Sequence, residues 1–148
     1  MPRPHDSLLR EMRLALLSEL GARAIYRDLA RVLRDPALRD VLRSLAEESD
    51  GQVRELGRAM EQLGRRPPAA SLRRRLLAGA LALSTPLLGR RLVLRICAGA
   101  SDRAARWYAY FQMHLLHLGR RDLASTCGRL SAVRRSHAQT LEAWVLNA

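Results

Sequence analysis

The sequence contains no lysine; all 26 of its side-chain cations are arginine. Aromatic residues make up only 4% of the chain, and valine and isoleucine are scarce beside leucine, alanine and arginine. Strands draw on β-branched and aromatic side chains, so this balance argues against a β-sandwich or barrel and suits helices. Two cysteines, Cys97 and Cys127, are too few for a disulfide scaffold. The longest uncharged run, Leu76 to Gly89, is too short to span a bilayer and contains Pro86. Met1 to Leu9 has no long apolar core behind a basic start, so no signal peptide is expected. These absences lead to an expected location in the cytoplasm, with a peripheral position on the inner membrane compatible with them.

What is present suffices for one packed domain. The 148 residues are 48% apolar, which rules out wholesale disorder and leaves no room for a second domain; residues 1–148 are read as a single helical domain. The net charge is +12 and the isoelectric point about 11.5. Such a surface attracts membranes, acidic proteins or nucleic acid. A GC-rich genome would by itself favour arginine over lysine.

Helix punctuation divides the chain. Asp6 or Ser7 can cap a first helix running to Arg34, and Asp35-Pro36 opens a second that Gly64 and Pro67-Pro68 stop. Ser71 caps a segment from Arg73 to Leu83, interrupted by Ser84-Thr85-Pro86. A third long helix is expected from about Leu87 to Leu118 and a fourth from about Arg121 to Leu146, with Gly119 between them. Four long helices with short first and last links and a long middle connection describe an up-down four-helix bundle with one crossover.

The stripes at three-to-four spacing are apolar except near their midpoints. The first carries Leu9, Met12, Leu16, Glu19, Ala22, Tyr26, Leu29 and Leu33. On the second, Leu38, Leu42 and Leu45 give way to Ser49 and Gln52 before Leu56, Met60 and Leu63. The third has Ser101 and Gln112 among Leu94, Ala98, Ala105, Tyr108 and Leu115. The fourth has Arg134 and His137 among Leu123, Cys127, Leu130, Leu141 and Trp144. Burying polar groups costs several kcal/mol unless they are paired, so convergence of these midpoints at one level is expected. Tyr26, Tyr108 and Trp144 read as core, and His114 and His117 as surface or interface residues. On that register Cys97 and Cys127 lie several turns apart and cannot bond.

Carboxylates on two helices plus Glu-x-x-His on the other two form the di-iron plan of such bundles. Glu-Leu-Gly-Ala-Arg-Ala-Ile-Tyr (19–26) resembles the first-ligand helix of the demethoxyubiquinone hydroxylase family, ferritin-like di-iron proteins of ubiquinone biosynthesis. The run from Gly79 to Gly89, followed by Cys97 and a helix pattern ending at Tyr108, is similar to that family's Gly-rich apolar connection. The resemblance extends from Ser18 to Trp144 and implies a ferritin-like fold, peripheral membrane binding and a quinone taken from the bilayer.

By spacing, the six ligand positions of that family fall on Glu19, Ser49, Gln52, Ser101, Arg134 and His137, of which only Glu19 and His137 are ligand types. Arg134 stands where a glutamate would precede the histidine, placing a permanent cation in a metal's position; it could pair with Glu19 instead. The site therefore reads as a degenerate one, without iron or another cofactor and without catalytic residues. Single-metal binding by Glu19 and His137, with Asp102 or Glu48, is the alternative. A one- or two-residue shift would bring Glu47 or Glu48 with Asp50 or Gly51 into the ligand turn, and a small rotation would bring in Asp102.

The basic residues cluster. Arg65, Arg66, Arg73, Arg74 and Arg75 flank the Pro-Pro link, and Arg90, Arg91 and Arg95 follow the apolar run. Arginines leading into Leu76, Leu77, Leu81, Leu87 and Leu88 read as an interfacial anchor, or as a crossover helix packed on its own bundle. Nucleic acid is the weaker use of the charge, since no helix-turn-helix, zinc-finger or aromatic stacking pattern occurs. The expectation is a non-catalytic binding or assembly subunit, able to oligomerise, that docks on a membrane or an acidic protein and holds a lipid or quinone. The competing expectation is a quinone hydroxylase-like di-iron or mono-metal oxidoreductase with atypical ligands.

Overall fold

A computed structural model describes residues 4–69 and 71–147, and within the first helix side chains from Asp6 onward. Every regular element among the described residues is α-helical, as the scarcity of β-branched residues led one to expect. Six helices follow in order: α1 Pro4–Val32, α2 Pro36–Gln62, α3 Leu72–Leu83, α4 Thr85–Leu88, α5 Arg90–His117 and α6 Arg121–Leu146. The chain divides into two helical units, Met1–Gly89 and Arg90–Ala148.

In the first unit α1 and α2 pack together through a three-residue link, and α3 packs on α1. The helix starts earlier than the Asp6 or Ser7 cap reading has it, at Pro4, and positions 1–3 of the supposed leader-free stretch lie outside the described residues. It also ends two residues short of Arg34, because Asp35 turns outward to cap α2: its Oδ1 accepts from the Ala37 and Leu38 amides at 3.0 and 3.2 Å. Pro36, which has no amide hydrogen to lose, takes the first helical position. The C-terminus of α2 is closed at Gly64, whose φ of 77° lets its amide reach Glu61 O while Arg65 N reaches Met60 O. The stripes bury Leu9, Met12, Leu16, Tyr26 and Leu29 on α1 and Leu38, Leu42, Leu45, Leu56 and Met60 on α2. Ala22, Leu33 and Leu63, expected in the same stripes, are only half-buried.

Helix α3 is attached differently. Its buried residues are Ala78 and Ala82, and Ser71 stands at its N-cap without the side-chain hydrogen bond expected of it. Gly79 lies close enough to α1 that a Cβ there would meet Asp28 Oδ2 at 3.8 Å. The helix stops where Ser84 Oγ and Thr85 Oγ1 donate back to Leu81 O and Ala82 O, and Thr85-Pro86 then opens the single turn of α4. Gly89 ends that turn at φ 84°, so the third long helix starts at Arg90 rather than Leu87. A leucine-rich outer surface remains: Leu72, Leu76, Leu77, Leu83, Leu87 and Leu88 are all exposed, Leu83 by 73% and Leu87 by 91%.

The second unit is a helical hairpin of α5 and α6. Gly119 at φ 72° turns the corner, with its amide on Leu116 O and the Arg120 amide on Leu115 O. Ser131 Oγ donates to Ala105 O across the two helices, and Gly128 faces the Gln112 side chain. Tyr108 is buried, edge-on to Phe111, whereas Gln112 and Trp144 are half-buried. His114 stacks on exposed Tyr110 and is itself half-buried, and His117 is exposed.

Candidate functional site

Each of the two units carries a group of buried polar side chains at the midpoints of its helices. In the first unit α1 places Glu19 and α2 places Ser49 and Gln52, all at most 4% exposed. In the second, α5 places Ser101 and α6 places Arg134 and His137, each at most 1% exposed. Helical spacing accounts for the pairs Ser49/Gln52 and Arg134/His137, since residues three apart share a face. Glu19, Gln52, Ser101, Arg134 and His137 all have interaction partners, as a buried charge requires, while Ser49 Oγ is buried without a hydrogen bond.

The substitute ligands do not join these groups. Glu47 and Glu48 are exposed. Asp50 turns aside to bridge two arginines, Arg23 of α1 at 2.6 Å and Arg54 at 2.7 Å. Asp102 is committed to an ion pair with Arg106, one turn along α5 at the surface. Asp50 and Asp102 stay out for a common cause: each sits beside an arginine on its helix or a neighbour, and solvent with a cation outcompetes burial. The arginine hydrogen bond from Arg23 holds the Asp50 carboxyl below its usual value of 3.8, assisted by the charges of Arg23, Arg54 and Arg27 against a partial burial that pulls the other way. Among the described residues no three His, Cys, Asp or Glu side chains cluster, and neither buried group alone has the anionic donors that iron demands.

Both cysteines are buried free thiols. Burial pushes Cys97 up to about 12, opposed by the charge of Arg134, and Cys127 up to about 11. Thiols held in that state are poor nucleophiles and poor metal ligands at neutral pH.

The basic positions are distributed unevenly. Arg65, Arg66, Arg73, Arg75, Arg91 and Arg95 are exposed, and Arg74 and Arg90 half-buried. Arg73, Arg74 and Arg75 are consecutive on α3 and so project in three directions rather than from one face. Arg65 also approaches Asp6, at 3.9 Å.

One concave feature escaped the sequence reading. Between α1 and α3, wholly inside the first unit, lies a cleft of about 550 Å³. Arg23, Arg27 and Arg31 line it from every fourth position of α1, with Leu20, Ala24 and Asp28 beside them, and α3 contributes Leu72, Arg75 and Leu76. Four guanidinium groups thus face one carboxylate. Arg31 lies 3.7 Å from Asp28 and Arg23 is held by Asp50, whereas Arg27 and Arg75 make no ion pair among the described residues. The one trace of it in the sequence is an i, i+4, i+8 ladder of arginines around an apolar Leu20–Ala24 step. It was hidden because the same arginines fill the ordinary solvent face of an amphipathic helix. No described helix is long and apolar enough to cross a membrane. No protein family, curated protein or solved structure matches this chain.

Proposed function

We propose that the protein is a non-catalytic, metal-free, ferritin-like four-helix bundle that serves as a binding or assembly subunit at an anionic membrane surface. The observation that carries this reading is α3 with α4, where six exposed leucines stand among exposed arginines. Leucine left in water forfeits roughly 1.5–3 kcal/mol relative to full burial, so a row of them marks a surface with an apolar destination. Arg73 and Arg75 beside that row supply attraction to lipid phosphate, each worth about 1 kcal/mol near an anionic surface. Buried Arg134, in the place of a metal-ligating glutamate, supports the non-catalytic part. The resemblance to quinone hydroxylases supports the same membrane-facing role for this segment.

Vesicle co-sedimentation tests it. The protein is expected to pellet with phosphatidylcholine vesicles containing phosphatidylglycerol and much less with phosphatidylcholine alone. The combined variant Arg73→Gln, Arg74→Gln, Arg75→Gln is expected to lose most of that binding. Equal pelleting of variant and parent would refute the docking surface, and stoichiometric iron in purified protein would refute the metal-free reading.

A further inference from the structure

We infer that the cleft between α1 and α3 binds the phosphate group of a single anionic amphiphile, with its hydrocarbon chain leaving along Leu72 and Leu76. The inference rests on the membrane reading for the source of its ligand, but the site is argued from the cleft itself. Its volume of about 550 Å³ is that of a small-ligand pocket. Its lining is chemically divided. The α1 ladder of Arg23, Arg27 and Arg31 and Arg75 opposite supply planar donor forks matched to phosphate oxygens; Asp28 is the one carboxylate in the lining, and Asp50 outside it engages Arg23. A phosphomonoester carries close to two negative charges and three acceptor oxygens, so it balances the surplus better than a single carboxylate.

The cations are also prepared for a ligand. Arg27 and Arg75 make no ion pair among the described residues, Arg27 acting on Asp50 only through its charge at longer range, and Arg23 Nε is shielded from solvent with no hydrogen-bond acceptor. The apolar half consists of nearly buried Leu20, half-buried Ala24, and Leu72 and Leu76, which are 69% and 65% exposed. Those two leucines share one face of α3, one turn apart, and connect the cleft to the exposed leucines described above. A free phosphate would leave that apolar half unused, and a neutral lipid would leave the guanidinium groups of Arg27 and Arg75 without an anion. Only a ligand with both parts satisfies the lining.

Titration calorimetry on the full chain tests this with lipids kept monomeric by short chains. Dihexanoyl phosphatidate is expected to bind, and dihexanoyl phosphatidylcholine and inorganic phosphate at least about tenfold more weakly, the ratio set by one lost charge-assisted contact. Arg27→Gln with Arg31→Gln should weaken phosphatidate about tenfold or more, and Ala24→Phe should block it while circular dichroism stays helical. Leu83→Ser with Leu87→Ser should reduce vesicle pelleting and leave monomeric phosphatidate binding intact. No binding of phosphatidate by the parent, or binding of inorganic phosphate as tight as that of phosphatidate, would overturn the inference even where vesicle docking stands. Phosphatidate binding by a parent chain that does not pellet with anionic vesicles would overturn the docking surface and leave the cleft.

Discussion

Asp50 is the residue where local charge pairing redirected a site. It joins α1 to α2 by bridging Arg23 and Arg54, and both bonds require its ionised form. Because its folded value lies below the usual 3.8, the stabilisation it lends is complete above that value and is lost as pH falls through the lower folded value. Asp50→Asn is therefore expected to lower the melting temperature at pH 7, by an amount corresponding to about 1 kcal/mol, and to make no difference in strong acid. A melting-temperature series for parent and variant from pH 7 to pH 2 checks this; a gap that persists unchanged into strong acid would contradict it. Residue by residue, burial on the stripes was well legible: three-to-four periodicity places Glu19, Ser49, Gln52, Ser101, Arg134 and His137 inside, as it places their leucine neighbours. The direction of Asp50 and Asp102 was not legible. That choice depends on which arginine lies within reach, and reach is a property of the folded neighbourhood.

At the scale of elements, punctuation chemistry carried most of the boundaries. Arg121 to Leu146 matches α6, and Asp35-Pro36 and Gly64 mark the ends of α2 through bonds the residue types predict. The separate turn of α4 was less legible, because Leu87 and Leu88 look helical whichever helix they join; the positive φ of Gly89 decides the break. Gly119 closes α5 by the same device, its left-handed backbone allowing two amides to satisfy the final carbonyls. Gly119→Ala is expected to cost about 1–2 kcal/mol, since a Cβ is penalised in that region whatever the free space around it. Gly51→Ala is expected to do the opposite. Gly51 is in the interior of α2, with open space where the methyl would go, so the gain should be about 0.5–1 kcal/mol. Urea unfolding of both variants measures the pair, and equal signs would show that backbone conformation is not the deciding term.

Across the whole molecule the charge of +12 sets how any docking responds to salt. Screening shortens from about 10 Å at 0.1 M to about 3 Å at 1 M, so attraction between exposed arginines and a lipid surface fades over that range. Leucine insertion does not fade with it. Pelleting with anionic vesicles is expected to fall steeply as salt rises and then to level at a residue that Leu83→Ser with Leu87→Ser removes. A flat salt response would show that the arginines take no part. The helical class and the basic, leucine-rich connection were legible from composition and pattern. The cleft was not, because it requires α3 to lie against α1, and the residues α3 buries, Ala78 and Ala82, are two of many alanines. The arginines of that cleft and of α3 have one more consequence. Guanidinium is no substrate for side-chain acetylation or ubiquitin transfer, both of which require a lysine amine. Any attachment through these residues is therefore expected to be insensitive to lysine-directed acylation.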